Sequence, residues 1–468
     1  MRGNGGYDLA VIGAGSAGFS AAITAAEQGA HVALVGHGVI GGTCVNTGCV
    51  PSKTLIRAAE ALHQIEAASR FAGLGGQARL ESWAAIVRQK NELVASMRQV
   101  KYVDLLPAYN TIAYLDGRAR IENGGLRIDG EPIRSDKVII TTGALPSLPP
   151  IPGIESVPHL TSTTALELEE LPRSLIVLGG GYIGCELGQM FARMGARVTI
   201  VDIVPILSAA EPEISQALAG YLRDEGIIIH ENVKTRAIRA TEHGVALDVS
   251  LDGKDETIEA ERILVTTGRR PNTAGLGLEE AGVELLPSGA IKVDDRMRTT
   301  RLGVYAAGDV TGRDMFVYMA AYGAKIAAKN ALNGDGLRYD TTAMPAVVFT
   351  DPQAASVGLT EVQAREAGHA VKTSVLPLDQ VPRALAARDT RGLIKLIADA
   401  GSGKLLGAHI LAPEGADSVQ TAALAIKHGL TVAEVAETIF PYLTTVEGLK
   451  LAAQAFEKDV AKLSCCAG

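Results

Sequence analysis

The chain has 468 residues, a length that predicts two to four domains. Its formal net charge of −8 argues against a nucleic-acid partner, and an aromatic content of 4% leaves no platform for stacking single strands. Five cysteines in so long a chain do not make a disulfide scaffold. We therefore expect a globular protein of the reducing cytoplasm, in which a surviving cysteine pair is catalytic.

An uncharged stretch from Leu9 to Ala26 resembles a secretion signal or a short membrane span. Its residues are better explained by a strand over 7–12 that ends at Gly13, Gly15 and Gly18 and leads into a helix. This is the Rossmann fingerprint in its required context. The first glycine permits a tight turn, the second lets the backbone approach a pyrophosphate, and the third lets the helix pack on the strand. The stretch therefore predicts a dinucleotide-binding loop without a membrane span.

A second copy of the fingerprint lies in the middle of the chain. A strand over 174–178 precedes Gly179, Gly181 and Gly184, which lead into another helix. Two fingerprints predict two dinucleotides, and electron transfer from one to the other is the simplest reason for both.

An acidic residue that binds the ribose is expected roughly 20 residues after such a loop. Asp202 lies at this distance from Gly184. The same distance from Gly18 leads to Gly36. The first site therefore lacks its acidic anchor, and its dinucleotide must depend on other contacts.

Two cysteines, Cys44 and Cys49, lie five residues apart between the fingerprints. On a regular helix this spacing is a rise of about 7.5 Å, whereas a disulfide needs Cα atoms within about 7 Å. The pair can close only in a distorted segment, and Gly48 and Pro51 permit distortion. Two small packing cysteines are the alternative. A strainable dithiol at a helix start, after a dinucleotide loop, instead indicates a redox centre.

From residue 344 onward the pattern changes to strands and helices without a fingerprint. It predicts strands over 346–349, 392–398 and 405–411 and helices over 418–428, 432–439 and 445–462. The predicted fold class is therefore α/β, with two Rossmann-like dinucleotide-binding domains and a C-terminal α+β domain.

Together the fingerprints, the segment over 41–53 and the third domain resemble the flavin-dependent disulfide reductases. The resemblance covers essentially the whole chain and implies a homodimer joined by the C-terminal domain. It implies an FAD-binding domain of residues 1–150 and 273–343, an NAD(P)H-binding domain of residues 151–272, and a dimerisation domain of residues 344–468.

The same resemblance assigns roles to particular residues. It implies FAD on the first loop and Asp309, and the nicotinamide coenzyme on the second loop. It also implies that Lys53 pairs with Glu186 near the flavin, whereas a lone lysine at a helix start is usually just solvated. The cofactor contacts that it implies beyond the loops are Gly42, Thr43, Lys53, Thr142, Gly143, Gly268, Arg269 and Gly308.

Two departures from the family's disulfide reductases indicate one branch of it. Those enzymes carry an acid–base histidine near the C-terminus, where this chain has Tyr442, and no histidine follows His428. A tyrosine with a pKa of about 10 is a poor proton shuttle at neutral pH. The chain also carries vicinal Cys465 and Cys466 close to its end. Both features resemble the branch that reduces Hg(II).

That resemblance implies a mercury-detoxifying oxidoreductase whose substrate is Hg(II), a soft ion that prefers thiolates. Cys465 and Cys466, on a mobile tail, would collect Hg(II) from small-molecule thiol complexes and pass it to Cys44 and Cys49 of the partner subunit. Cys49 is implied to be the thiolate at the flavin and Cys44 the exchanging thiol. Since few residues precede the first strand, no separate N-terminal metal-binding domain is expected.

Several alternatives remain open. Tyr442 and Tyr102 match the branch's active-site tyrosines, but Tyr102 could equally be a surface residue of an amphipathic helix. NADPH is expected first from the resemblance, and NADH use is expected as well because Asp202 suits a free ribose hydroxyl. The competing functions are a dihydrolipoamide- or glutathione-type reductase and a thiol-based buffer that binds Hg(II) without reducing it.

Overall fold

The computed structural model describes residues 6–122, 125–459 and 462. The predicted metal-binding cysteines Cys465 and Cys466 lie outside these residues. The α/β fold class is confirmed, and the described chain forms three units, each built around its own large sheet. Among the described helices, none combines the length and apolar character that a membrane crossing requires.

The helices, in chain order, are α1 (Ser16–Ala26), α2 (Gly42–Thr47), α3 (Cys49–Glu66), α4 (Trp83–Arg98), α5 (Tyr182–Arg193), α6 (Pro212–Asp224), α7 (Val317–Asn333), α8 (Glu361–Glu366), α9 (Pro382–Ala387), α10 (Gly415–Lys427), α11 (Val432–Glu437) and α12 (Glu447–Gln454). The strands, in the same order, are β1 (Gly6–Ile12), β2 (Val32–Gly36), β3 (Ile112–Asp116), β4 (Ala119–Glu122), β5 (Gly125–Ile128), β6 (Glu131–Ile140), β7 (Ala144–Pro146), β8 (Leu160–Thr161), β9 (Ser174–Leu178), β10 (Arg197–Val201), β11 (Ile228–His230), β12 (Lys234–Thr241), β13 (Gly244–Leu251), β14 (Lys254–Ala260), β15 (Arg262–Val265), β16 (Arg269–Pro271), β17 (Val304–Ala306), β18 (Pro345–Val348), β19 (Gln353–Gly358), β20 (Val371–Pro377), β21 (Leu393–Asp399) and β22 (Leu405–Ala412).

The first unit is a parallel sheet in the order β3-β2-β1-β6, and β17 joins it by pairing in parallel with β6. Leu9 and Val11 of β1 pack into one hydrophobic core, which includes α1 and α7. Ala10 and Ile12 pack into a second core on the opposite face. Because both faces are covered, the strand is a continuous apolar run.

The second unit has a parallel sheet in the order β11-β10-β9-β15-β8. A three-stranded antiparallel sheet, β12-β13-β14, packs against one face of it. This small sheet was not among the predicted elements.

The third unit is an antiparallel sheet in the order β18-β19-β22-β21-β20, covered by α10 and α12. The helix predicted over 445–462 is wrong in length, since α12 begins at Glu447 and ends at Gln454. The charged residues that follow, Glu457, Lys458 and Asp459, are exposed and offer no apolar face to hold a further turn.

Candidate active site

The first glycine loop joins β1 to α1 with no room for side chains. Gly13 has a φ of 114°, a conformation that favours glycine. A Cβ atom on Gly18 would lie 1.7 Å from the carbonyl oxygen of Gly13. Helix α1 begins after Gly15 without a side-chain cap, so the N–H groups of its first turn stay available. Such a helix start can bind a pyrophosphate.

The second loop, between β9 and α5, repeats this geometry. Gly179 has a φ of 106°, and a Cβ atom on Gly184 would lie 1.8 Å from its carbonyl oxygen. Helix α5 begins after Gly181, again without a side-chain cap. At the end of β10, the Asp202 carboxylate accepts a hydrogen bond of 2.5 Å from the Gly180 N–H. The second site therefore has a carboxylate at its loop.

The dithiol lies at a break between two helices. Helix α2 ends at Thr47 and α3 begins at Cys49, and Gly48 between them has φ −126° and ψ −111°. The expected distortion is therefore at Gly48. Pro51 does not contribute to it, because it lies in the first turn of α3, where a proline's missing N–H costs no helical hydrogen bond.

The two thiols of this pair have opposite pKa shifts. A hydrogen bond between their side chains is the largest cause of both, since it raises the pKa of Cys44 and lowers the pKa of Cys49 to about 7. Burial opposes the shift at Cys49, and the positive charge of Lys53 adds to it. At neutral pH Cys49 is therefore the sulfur that carries substantial thiolate character.

Lys53, one turn along α3 from Cys49, connects the three units. Its Nζ atom lies 2.6 Å from the Glu186 carboxylate on α5. The other oxygen of Glu186 accepts a hydrogen bond of 2.9 Å from the Phe349 N–H, at the end of β18. Glu186 is only 5% exposed, so its charge is balanced by these two partners.

A cleft of about 940 Å³ runs from the first glycine loop to the dithiol. Tyr182 and Ile183, at the start of α5, border it, so the second loop opens towards the same space. The predicted site residues that line this cleft are Gly13, Gly15, Gly42, Thr43, Cys44, Cys49, Lys53, Thr142, Gly143, Glu186, Arg269, Gly308 and Asp309.

Asp309 and Arg269 face each other across one wall of the cleft. The Arg269 Nε atom lies 3.8 Å from the Asp309 carboxylate. Burial is the largest influence on the pKa of Asp309 and raises it, while Arg269 opposes the rise.

Other predicted site residues lie outside the cleft lining. Gly18 packs behind the first loop, and Gly268 has a φ of 131° just before β16. Four more belong to the second loop and its acidic anchor: Gly179, Gly181, Gly184 and Asp202.

The two predicted active-site tyrosines are in different surroundings. Tyr102 lies in a short π-helix over Gln99–Val103, and its hydroxyl lies 3.2 Å from that of Ser16, at the start of α1. Burial raises its pKa, and the nearby thiols of the dithiol raise it further. Tyr102 is therefore half-buried near the dithiol. Tyr442 is 47% exposed and does not line the cleft of its own chain.

A cluster of three aromatic residues at the cleft was not predicted. Phe316 stacks on Tyr318 with ring centroids 5.3 Å apart and contacts Tyr182 at 5.9 Å. In a chain with 4% aromatic residues, Phe316 and Tyr318, so close together at the start of α7, were an available signal. The hydrogen bond from Phe349 to Glu186 could not have been predicted from the sequence, because it uses a backbone N–H that any residue type would supply.

Comparison with known proteins gives two family matches along the chain. Residues 7–325 match the pyridine nucleotide-disulphide oxidoreductase family, and residues 344–453 match its dimerisation domain. Among solved structures, the HOCl-induced flavoprotein disulfide reductase RclA of Escherichia coli is 34% identical, with a TM-score of 0.84. The match covers 96% of this chain and 99% of that chain.

The curated relatives define the branch of the family. Mercuric reductase of Streptomyces lividans is 47% identical over 472 residues, which cover 99% of each chain. Mercuric reductase of Bacillus cereus is 46% identical over 469 residues, which cover 100% of this chain and 74% of the relative. This chain belongs to the mercuric reductase family. The family predicted from the sequence is thereby confirmed, and with it the class of FAD- and nicotinamide-dependent oxidoreductases.

Proposed function

We propose that this protein reduces Hg(II) to Hg(0) for mercury detoxification, using electrons that pass from a reduced nicotinamide coenzyme through FAD. The observation that carries the proposal is the dithiol of Cys44 and Cys49, which lines the large cleft of a mercuric reductase family member. In the overall reaction the coenzyme loses a hydride, the mercuric ion gains both of its electrons, and one proton is released.

The residues of the cleft fit FAD. The two backbone segments beside the first loop approach so closely that a Cβ atom on Gly42 would lie 2.6 Å from the Cα atom of Gly15. The uncapped start of α1 would hold the pyrophosphate, and Asp309 with Gly308 would border the ribityl chain. When bound, FAD supplies the chemistry that accepts a hydride and donates an electron pair.

The dithiol would hold the substrate. Hg(II) prefers sulfur ligands, and a thiolate binds it more readily than a thiol. Cys49 would therefore bind first, and Cys44 would lose its proton as it becomes the second ligand. Among the described residues, no group of three or more histidine, cysteine or acidic side chains is arranged to hold a metal ion. The proposed site is accordingly a two-sulfur site.

We also propose a homodimer in which Tyr442 of one subunit faces Cys44 and Cys49 of the partner subunit. The match of residues 344–453 to a dimerisation domain supports this assembly. So does the surface around Tyr442, where Ile439 is 95% exposed and Leu443 is 44% exposed. Apolar side chains this exposed suit a surface that another subunit covers.

Turnover of different substrates distinguishes the proposed activity from that of a disulfide reductase. We expect Hg(II), supplied with excess small thiol, to drive continuous coenzyme oxidation, and glutathione disulfide or lipoamide to drive little. The reason is that no acid–base histidine lies after His428 to protonate a leaving thiol. The measurement is coenzyme absorbance with each substrate. Rapid turnover of a disulfide, or stoichiometric mercury binding without coenzyme loss, would contradict the proposal.

Cys465 and Cys466 are proposed to deliver Hg(II) from its complexes with bulky thiols. Replacing both with alanine should lower kcat/KM about tenfold or more for Hg(II) bound to glutathione, because delivery from a tethered site raises the local concentration of substrate. The same variant should lose much less with Hg(II) bound to a small thiol, which can enter the cleft directly. An equal loss with both complexes would exclude a delivery role.

A further inference from the structure

The structure shows why the first dinucleotide site has glycine where an acidic ribose-binding residue is expected. Gly36 ends β2, an extended strand that any residue type can adopt. A Cβ atom on Gly36, however, would lie 2.4 Å from the hydroxyl oxygen of Tyr114 and 2.9 Å from the Cβ atom of Ala14. Glycine is therefore required here by lack of space, because the phenol of Tyr114 occupies the position where a carboxylate side chain would begin.

The second site shows the reverse arrangement within the same chain. Tyr114, on β3, pairs in register with the residue two positions before Gly36. On β11, Ile229 pairs with the residue two positions before Asp202. Beside Asp202, the neighbouring strand β11 carries an aliphatic side chain. Beside Gly36, the neighbouring strand β3 carries Tyr114, which reaches over the glycine.

The hydroxyl of Tyr114 is also available to a ligand. Tyr114 lines the large cleft together with Gly36 and His37. Within the described part of the chain, its hydroxyl makes no hydrogen bond. Partial burial raises the pKa of Tyr114, and the nearby carboxylate of Asp116 raises it further. The phenol is therefore neutral at physiological pH and has a proton to donate.

We propose that the Tyr114 hydroxyl replaces the acidic anchor and hydrogen-bonds the ribose hydroxyls in the adenosine half of FAD. In a dinucleotide fold the acid binds the ribose from the end of the second strand. The phenol reaches this place from the third strand and can both donate and accept a hydrogen bond. Tyr114 and Gly36 are then one unit, in which the absence of a side chain at one position makes room for the side chain at the other.

The inference deepens the proposed function, because it concerns the flavin site. Its test needs no mercury, so its failure and that of the proposed function are distinguishable. The readout is the release of FAD from the purified holoenzyme, followed by the rise in free flavin fluorescence over a dilution series.

Tyr114→Phe removes the hydroxyl and keeps the ring. It should weaken FAD binding roughly three- to tenfold, the range for loss of one uncharged hydrogen bond. Tyr109→Phe is the matched control, because Tyr109 lies just before β3 and does not line the cleft. Release that is equal in these two variants would overturn the proposal.

A second pair of variants tests whether Tyr114 occupies the space that an acidic side chain at position 36 would need. Gly36→Glu alone should release FAD more readily than the wild type, because the new side chain collides with Tyr114. Combining Gly36→Glu with Tyr114→Ile removes the collision with the phenol and pairs an acid with an aliphatic neighbour, as in the second site, so it should restore FAD retention to within about threefold of the wild type. If the double variant retains FAD no better than Gly36→Glu, Tyr114 does not stand in for the acid.

Discussion

Replacement of Cys49 by alanine is expected to lower kcat for Hg(II)-dependent coenzyme oxidation by at least about three orders of magnitude, as the loss of a reacting group does in other enzymes. Cys49 has a pKa lowered to about 7 and is the thiolate of the pair at neutral pH. Without it, Cys44 loses its hydrogen-bond partner and stands alone in the cleft. The measurement is mercury-dependent coenzyme oxidation at saturating substrate.

Two controls separate this loss from misfolding. The Cys49→Ala protein should retain bound FAD, and the reduced coenzyme should still bleach the flavin absorbance. Thr54→Ala is the matched variant on the same helix, because among the described residues the Thr54 hydroxyl bonds only to the Val50 carbonyl of α3, at 2.8 Å. Near-normal turnover by Cys49→Ala would refute the proposed dithiol mechanism.

The wild-type protein is expected to use NADH with a kcat/KM at least about tenfold above that for NADPH, although the family resemblance implies NADPH first. From its place after the second glycine loop, the Asp202 carboxylate is expected where NADPH would place its 2′-phosphate. Exposed Ile203 and Val204 follow it and add no positive charge. Arg223, the next basic residue along the chain, is already paired with Glu231 at 2.9 Å. The measurement is steady-state kinetics with each coenzyme.

Asp202→Asn tests the origin of this preference. Asparagine keeps an oxygen for the Gly180 N–H but removes the negative charge, so the NADH-to-NADPH ratio of kcat/KM should fall about tenfold. Glu242→Gln, in the exposed turn between β12 and β13, makes the same change of charge away from the loop and should leave the ratio unaltered. Equal ratios in wild type and Asp202→Asn would exclude a role for this charge.

The sequence identified those parts of the site that depend on local geometry. Gly13 and Gly18 were predictable because a tight loop between a strand and a helix needs glycine at that spacing, and the cysteine spacing likewise demanded a distorted segment. Tyr114 was not predictable, because its contact with Gly36 depends on the register between β2 and β3, which are far apart in the chain. The position of the break was also ambiguous, since both Gly48 and Pro51 could have caused it.

The sheets likewise divide into those that a local sequence pattern predicted and one that it did not. Continuous apolar strands next to glycine loops predicted both parallel sheets. The antiparallel sheet β12-β13-β14 was missed, because β14 is mostly exposed and carries the charged run Lys254–Ala260 rather than an apolar stretch. Its contribution to the second unit comes from packing of β13 against the parallel sheet, which no single segment reveals.

The break at Gly48 has a consequence for how the substrate enters. Cys44 and Cys49 belong to separate helices, so the spacing of their sulfur atoms is not fixed by the geometry of one continuous helix. A metal ion ligated between two sulfurs holds them farther apart than a hydrogen bond does. Gly48 leaves room at this break, since a Cβ atom there would lie 3.0 Å from the carbonyl oxygen of Thr43. A change in the sulfur spacing on binding an ion therefore falls on the backbone torsions at Gly48, outside the hydrogen bonds of either helix.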